Sequence, residues 1–366
     1  MTKKGVILRI TALAAAAGFA VLLTYPQAAA GGVSRGLSVC GEVLIPSLFP
    51  FLVLGGVITR SGVAAAVGRR LAPITAKLFG LPGCGAAVLV ISLLGGYPSG
   101  GIMVGELVRS GQLSRDEGKR LLRFCVNGGP GFVIGTVGAA LMGSTVFGLL
   151  LWLANLAASL VLGITGVPKG ARKRAAVSRT IPPSVSLSQA VVESVTGACE
   201  ALLSMSGFVL LFSAVTAVLA ASNFIARLGG TPMGERILSA LLASLLEVSG
   251  GCTAAAALPE NAAAFLGFAV GFGGLAVHCQ LAAALRGLSL MDANFFLARL
   301  AQGFMTAVFT LLLLRAVPVT LPVWGSFQES VAMGRSSVTV SVALLVLGGV
   351  WMLTVGSSEK ATRQAG

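Results

Sequence analysis

The stretch Leu93-Leu94-Gly95-Gly96-Tyr97-Pro98-Ser99-Gly100-Gly101 ends a long apolar run with glycine, proline and polar residues. A second stretch of this kind, Leu245-Leu246-Glu247-Val248-Ser249-Gly250-Gly251-Cys252, follows another apolar run in the second half of the chain. Lipid cannot hydrogen-bond a peptide group, so irregular backbone at membrane depth persists only inside protein or beside a wet cavity. Both stretches therefore indicate interrupted membrane helices that face a protein interior.

The composition agrees with this interpretation. The 366 residues are 55% hydrophobic and 10% charged, with a mean hydropathy of +0.93. The apolar runs are continuous and do not alternate with a period of two, which favours an all-α polytopic membrane protein over a β-barrel. The net charge of +14 comes from Lys and Arg clusters between apolar runs, the pattern of cytoplasmic loops and not of a nucleic-acid groove.

Flanking charges predict eight spans and two re-entrant hairpins, with both termini inside. The expected spans are about 6–24, 37–58, 124–142, 146–166, 203–221, 262–285, 295–316 and 338–355. The hairpins are expected over 78–101, entering from the cytoplasm, and over 237–257, entering from outside. The first run also fits a cleavable signal peptide; an uncleaved helix is favoured because polytopic proteins rarely need cleavage. The clusters expected in the cytoplasm are a loop with Arg60, Arg69, Arg70 and Lys77, amphipathic segments at 109–123 and 187–200, and a flank with Arg286, Asp292 and Arg299.

Landmarks recur in the same order in both halves, and their predicted orientations are opposite. Glu42 pairs with Glu200, Ser99-Gly100-Gly101 with Ser249-Gly250-Gly251, and Gly128-Gly129 with Gly273-Gly274. This order predicts an inverted-topology repeat, the arrangement of many secondary transporters, whose substrate sites lie between broken helices. The expected organisation is an N-terminal helix and loop (1–36), a first repeat (37–167), a basic cytoplasmic linker (168–186), a second repeat (187–316) and a C-terminal loop, helix and tail (317–366).

The ends of broken helices suit an anionic ligand. They expose unpaired N–H groups and the positive end of the helix dipole. Four breaks, at 95–101, 127–131, 249–251 and 271–274, are expected to converge on a small anionic substrate; the alternative is that these glycines only allow close helix crossings. The residues predicted to bind substrate are Gly96, Tyr97, Ser99, Gly100, Asn127, Gly128, Gly129, Ser249, Gly250, Gly273 and Gly274.

Ionisable groups within spans are costly and usually functional. Glu247, beside the second glycine stretch, is the first candidate for coupling to a proton or sodium ion. His278, the only histidine, is the second candidate, and a buried neutral imidazole bonded to a neighbouring helix is its alternative role. With one histidine, no GxSxG elbow and no Walker loop, the sequence predicts no enzyme, no cofactor and no metal site. The six cysteines form no CxxC pair and mostly adjoin Gly or Ala, as expected of packing residues rather than of metal ligands or a disulfide framework.

Three strings carry a family resemblance: Pro46-Ser47-Leu48-Phe49-Pro50-Phe51-Leu52-Val53-Leu54, Gly95-Gly96-Tyr97-Pro98-Ser99-Gly100-Gly101, and residues 124–138, which read FCVNGGPGFVIGTVG. Over about residues 37–316 the chain resembles the sporulation integral membrane protein YlbJ family. That family carries nucleoside-recognition Gate domains and is similar in design to concentrative nucleoside transporters. The resemblance implies a role in endospore formation in Firmicutes, with dipicolinic acid moved from the mother cell across the outer forespore membrane.

Three functions remain open with this resemblance. The first is gradient-driven or passive transport of a small organic anion, for which the resemblance suggests dipicolinic acid. The second is transport of a nucleoside or another small solute on the same scaffold. The third is a non-transporting membrane scaffold for spore-envelope assembly. The expected partners are the substrate, the lipid bilayer, a coupling ion and further copies of the chain, joined through 6–24 and 338–355; no nucleic acid is expected.

Overall fold

The computed structural model describes residues 12–13, 16, 18–168, 185–258, 262–317 and 319. Within these ranges the chain forms helices and no strands. The start of the predicted 6–24 span, most of the 168–186 linker and the 338–355 span lie outside the described residues.

The helices of the first half are α1 Pro26–Ser38, α2 Val39–Leu44, α3 Ile45–Arg60, α4 Val63–Phe79, α5 Gly83–Gly95, α6 Ser99–Arg109, α7 Arg115–Leu122, α8 Gly131–Leu141 and α9 Thr145–Thr165. Those of the second half are α10 Leu187–Ala221, α11 Phe224–Gly229, α12 Pro232–Leu246, α13 Val248–Ala256, α14 Ala262–Phe272, α15 Gly274–Ala284 and α16 Ala293–Ala316. Residues 18–24, before α1, are also helical. Helices α2 and α8 have the wider hydrogen-bond spacing of a π-helix, which often occurs at functional sites.

Membrane-spanning length is reached by four helical stretches in the described part of the chain. These are α9, α10, the α14–α15 pair taken as Ala262–Ala284, and α16. A fifth would be α4 with α5, whose segments Arg69–Phe79 and Gly83–Gly95 meet at a bend of 97°. The described residues therefore give four or five candidate spans, against the eight predicted for the whole chain.

Helix α16 has its polar residues inside and its apolar residues outside. Arg299, Gln302, Thr306 and Thr310 are fully buried, whereas Leu297, Phe304 and Val308 are more than half exposed. A water-soluble protein would have the reverse arrangement, since exposed apolar surface is unfavourable in water. The exposed apolar face is thus the one that contacts lipid.

Three segments differ from the sequence prediction. The expected cytoplasmic loop after Arg60 is helix α4, bounded by Gly62 and Gly80 in left-handed conformation, with Arg69 and Arg70 exposed. The amphipathic segment at 187–200 and the span at 203–221 are one 35-residue helix, because nothing between them breaks the hydrogen-bond ladder. The expected span at 124–142 is helical only from Gly131, because Gly128-Gly129-Pro130 disfavours a helix before that point.

Both glycine stretches form the tips of helical hairpins. In the first, α5 ends at Gly95 and α6 returns from Ser99, so that Cys84 Sγ at the start of α5 lies 3.8 Å from the Gln112 carbonyl oxygen beyond α6. In the second, α12 ends at Leu246 and α13 begins at Val248. Its open end brings Pro232 and Glu235 to the same groove as Ala257 and Leu258. The first tip therefore consists of residues 96–98, and the second tip is Glu247 alone.

The two halves pack against each other outside the tips as well. Lys119 of α7 forms an ion pair with Asp292, the N-cap of α16, with 3.7 Å between Nζ and Oδ2. Arg109 at the end of α6 donates to the carbonyl oxygen of Ala284, the last residue of α15, at 2.6 Å. These contacts tie the open end of the first hairpin to the second half.

Neighbouring glycines in α13 allow a test of hairpin packing. A Cβ on Gly251 would fall against the Ser244 backbone of α12, whereas a Cβ on Gly250 would meet nothing closer than Glu247 Oε2 at 3.5 Å. Gly251→Ala should therefore lower the free energy of unfolding by about 1–3 kcal/mol through overpacking. Thermal unfolding of purified protein in detergent measures the effect. Gly250→Ala is the matched control and should unfold like wild type; equal melting temperatures for the two variants would contradict the hairpin contact.

Candidate functional site

Each hairpin tip touches a helix break of its own half. A Cβ on Gly96 would lie 2.6 Å from the Gly129 nitrogen, so the first tip lies directly against the break before α8. A Cβ on Gly274 would lie 3.0 Å from both Glu247 Cα and the Val248 nitrogen, so the second tip lies against the break between α14 and α15. In both halves, a hairpin tip therefore contacts the helix break that follows it in the chain.

Tyr97 connects the first tip to the second half. Its hydroxyl donates to the Val270 carbonyl oxygen at 3.0 Å, and the side chain is 6% exposed. Its ring also lies beside Gly273, since a Cβ on that glycine would lie 3.5 Å from Tyr97 Cε1. The four breaks therefore lie together, with Tyr97 between the first tip and the α14–α15 break.

Arg299 of α16 joins the breaks of both halves. Its guanidinium donates to the Val126 carbonyl oxygen at 2.8 Å and to the Gly271 carbonyl oxygen, and its side chain is fully buried. The sequence prediction placed Arg299 on a cytoplasmic flank, and that prediction is wrong. Arg299 lies two turns inside α16, where unpaired carbonyl groups at two helix breaks solvate the charge that lipid could not.

A polar network beside Arg299 holds Asn127 in place. Gln302 Nε2 donates to the side-chain oxygens of Asn127, at 2.7 Å, and Asn155, at 2.9 Å. Asn127 Nδ2 in turn donates to the Ser92 hydroxyl at 3.1 Å and to the Phe124 carbonyl oxygen at 3.0 Å. Asn127 is 1% exposed, so it connects helices and does not line the cavity described next.

The site residues predicted from the sequence did not include Arg299, Gln302 or Asn155. Their signal is a polar stripe at helical spacing in otherwise apolar helices: Arg299, Gln302, Thr306 and Thr310 in α16, and Asn155 and Ser159 in α9. Such a stripe marks the interior face of a membrane helix.

A small cavity lies between the two tips. Its volume is about 30 Å³, room for one or two water molecules. Five of the predicted site residues line it: Gly96, Tyr97, Gly129, Glu247 and Ser249. The other lining residues are Leu44, Leu48, Leu52, Gly95, Phe132, Met205, Val209, Val248, Ala276, Val277 and Gln280. The cavity in this conformation is too small for an aromatic dicarboxylate.

Glu247 is the N-cap of α13. Its carboxylate accepts hydrogen bonds from the backbone N–H groups of Ser249, at 2.9 Å, and Gly250, at 2.7 Å. The helix end that was predicted to bind an anion is therefore occupied by the chain's own carboxylate. At the other tip, α6 begins after Pro98, which provides no side-chain cap. The two tips differ in this respect, despite their similar contacts.

His278 lies away from the cavity. Its ring packs edge-on against Phe272, Phe295 and Phe296, with ring centroids 4.9, 5.4 and 5.7 Å away. The side chain is 2% exposed, and Nε2 has no hydrogen-bond partner among the described residues. Burial among aromatic rings matches the alternative role, a neutral packed imidazole, better than ion coupling.

The remaining predicted residues surround the cavity without lining it. Ser99 is half-buried, with its hydroxyl 3.5 Å from the Gly95 carbonyl oxygen. Gly100 packs against the Cys125 carbonyl oxygen and Ser92, and Gly128 packs near Val133. Six predicted residues support the tips through backbone contacts or hydrogen bonds and do not face the cavity. They are Gly100, Asn127, Gly128, Gly250, Gly273 and Gly274. In the described part of the chain, no group of three His, Cys, Asp or Glu side chains could hold a metal ion.

The helices of spanning length and the outward-facing apolar surface define a polytopic α-helical integral membrane protein. The chain is 29% identical over 324 residues to the sporulation integral membrane protein YlbJ of Bacillus subtilis (strain 168), an alignment covering 80% of this chain and 79% of that protein. This similarity supports the assignment to the YlbJ family that the GYPSG and FCVNGGPGF strings predicted. No protein-family model matches the chain. No solved structure matches it either.

Proposed function

We propose that this protein transports a small organic anion across a membrane and catalyses no chemical reaction. The observation that supports it most is the convergence of two hairpin tips and two helix breaks on one cavity. Breaks of this kind are costly in lipid, and in secondary transporters they surround the substrate at the membrane midplane. Dipicolinic acid is the first candidate substrate and the outer forespore membrane the proposed place of action, in keeping with a relative named as a sporulation integral membrane protein.

An inverted repeat of the two halves is part of this proposal. The order of α5, the first tip, α6, the break before α8, and α9 matches the order of α12, the second tip, α13, the break before α15, and α16. Opposite orientation of the halves would let each tip close one side of the same cavity, with eight spans in the whole chain. Transport would then require the tips to separate in turn, since the cavity holds about 30 Å³ when both are closed.

Substrate flux tests the proposal directly. Purified protein in liposomes should take up labelled dipicolinate faster than protein-free liposomes, and excess unlabelled dipicolinate should compete. A knockout of this chain in its own sporulating host should accumulate dipicolinate in the mother cell and lack it in the spore. Absence of flux with normal dipicolinate content in the knockout spores would refute the proposed substrate and favour a structural role in the spore envelope.

A nucleoside is the second candidate substrate. The cavity contains one carboxylate, Glu247, and one carboxamide, Gln280, the side-chain types that bind base and ribose in nucleoside sites. Uridine and adenosine belong in the same flux assay. Competition by either at the concentration at which dipicolinate competes would shift the proposal to nucleoside transport.

Glu247 is the group we assign to ion coupling, since its carboxylate lies at the cavity and is 6% exposed. Glu247→Gln keeps the side-chain size and one acceptor for the α13 N-terminus but removes the charge. In liposomes with an imposed proton or sodium gradient, the variant should accumulate at least about tenfold less substrate than wild type, a loss of about 1.4 kcal/mol in driving force. Exchange of internal for external substrate, without a gradient, should persist.

The stability of Glu247→Gln is the control for this experiment, because the variant loses one hydrogen bond at the N-cap of α13. Its free energy of unfolding should fall by only about 0.5–2 kcal/mol, which leaves the protein folded at the assay temperature. Wild-type accumulation by Glu247→Gln would remove Glu247 from the coupling mechanism. Loss of exchange as well as accumulation would assign it to substrate binding instead.

A further inference from the structure

Gln280 of α15 lines the cavity and is not among the site residues predicted from the sequence. Its side chain is 6% exposed and lies at the same cavity as the first tip, with Tyr97, and the second tip, with Glu247. It comes two residues after His278, which points into the aromatic cluster instead. Gln280 is therefore placed to meet anything that enters between the tips.

The other polar side chains of the cavity are already committed. The Tyr97 hydroxyl donates to the Val270 carbonyl oxygen, and the Glu247 carboxylate accepts from two backbone N–H groups. The Ser249 hydroxyl lies close to the Glu247 carboxylate. Gln280 differs from all three, because its buried Oε1 has no hydrogen-bond partner among the described residues.

A buried amide oxygen without a partner is unfavourable and uncommon in native proteins, and such exceptions often belong to functional groups. Other described side chains also have a buried atom without a partner, but none of Arg123, His278, Arg299 and Gln302 lines the cavity. The unpartnered Oε1 of Gln280 thus belongs to a side chain of the cavity wall, where a ligand could supply the missing donor.

The rest of the cavity wall limits the kind of ligand. Leu44, Leu48, Phe132 and Val209 form apolar sides, and the glycines of the tips add backbone but no side chain. A planar ring with one polar edge matches this wall: the ring contacts the apolar sides, and the polar edge meets Gln280. The unpartnered Oε1 only accepts, so the ligand must donate to it through an O–H or an N–H, such as the O–H of a protonated carboxyl group. The Nε2 of the same carboxamide can donate to the other oxygen of that carboxyl group.

Building on the proposed transport function, we propose that Gln280 is a specificity-determining residue whose carboxamide hydrogen-bonds the polar edge of a small planar aromatic acid. The free carboxamide in the closed cavity is the site's unused recognition group. Substrate binding satisfies it, and the closed conformation without substrate leaves it unsatisfied.

Gln280→Met tests this inference, because methionine has a similar length and no amide. Removing an unpaired amide should leave the melting temperature in detergent unchanged or raised. The KM for dipicolinate uptake into liposomes should rise at least tenfold, while the maximal rate stays within about twofold of wild type. Stabilisation of the purified protein by dipicolinate should be lost in the variant.

Gln302→Met is the matched control for structural hydrogen bonding. Gln302 Nε2 has two side-chain partners, so Gln302→Met should have a lower melting temperature than wild type, whereas Gln280→Met should not. A fall in melting temperature of Gln280→Met equal to that of Gln302→Met would show a structural role and overturn the inference. So would a wild-type KM.

The outcomes separate this inference from the proposed function. Flux by wild type with an unchanged KM in Gln280→Met refutes the role of Gln280 and leaves transport standing. Absence of both flux and dipicolinate stabilisation in wild type refutes the transport proposal and this inference with it. Gln280→Glu adds a carboxylate opposite Glu247 and should lose dipicolinate stabilisation; retention of it would also contradict the inference.

Discussion

Arg299→Met should destabilise the protein strongly, although methionine fits an apolar membrane helix better than arginine does. The substitution removes the donor of two buried carbonyl groups, Val126 and Gly271, at helix breaks in different halves. Each buried carbonyl without a partner costs about 1–3 kcal/mol, so the free energy of unfolding should fall by about 2–6 kcal/mol. Thermal unfolding in detergent, followed by size-exclusion chromatography of the heated protein, measures the loss.

Two further variants make this result specific. Arg315→Met changes an exposed arginine of the same helix and should unfold like wild type. Arg299→Lys keeps the charge, but a single ammonium reaches both carbonyl groups less well than the planar guanidinium, so its stability should lie between the other two. An Arg299→Met protein as stable as Arg315→Met would show that the two breaks hold together without the arginine.

The predicted positions of the tips were close to those observed, because glycine and proline lower the stability of a helix. Gly95-Gly96 ends α5, as predicted. The break predicted at 249–251 lies instead at Glu247, and Ser249-Gly250-Gly251 forms part of the first turn of α13. The sequence also predicted an integral membrane protein, because repeated long apolar runs are typical of membrane-spanning helices. The helices of the described residues and the similarity to a sporulation integral membrane protein confirm these parts of the prediction.

Arg299 shows why other parts could not be predicted. A charge near the start of an apolar run can mark a cytoplasmic flank or an interior group, and only the partners decide. Those partners are backbone carbonyl groups, Val126 and Gly271, which carry no sequence signal of their own. The polar stripe that continues through Gln302 and Thr306 was the available clue, since a flank would not repeat at helical spacing.

Glu247 also shows which features of the site could not be predicted from the sequence. Its position beside a glycine stretch indicated function, and the structure places it at the cavity. The sequence did not reveal that its carboxylate caps α13, because Glu is not a common N-cap residue and the cap depends on the extended backbone at Glu247. An anionic substrate at the second tip would have to share the helix end with this carboxylate, whereas the first tip offers α6 without a side-chain cap.

The first tip therefore carries the second large prediction, a loss of both stability and transport in Gly96→Ala. Gly96 has φ +69° and ψ −168°, a conformation that residues other than glycine hardly adopt and that costs about 1–3 kcal/mol. Its Cβ would also lie 2.6 Å from the Gly129 nitrogen and 2.9 Å from Gly129 Cα, which adds about 1–3 kcal/mol of overpacking. The free energy of unfolding should thus fall by about 2–6 kcal/mol.

Gly111→Ala separates the two causes, since Gly111 has a similar φ of +73° but open space around its Cβ position. It should lose about 1–2 kcal/mol from the left-handed conformation alone and keep wild-type flux. Gly96→Ala should lose more stability than this and, even below its melting temperature, most of its flux, because the tip and the break can no longer meet at the cavity. Equal stability and equal flux in the two variants would mean that the contact between the first tip and the Gly129 break neither stabilises the fold nor closes the transport site.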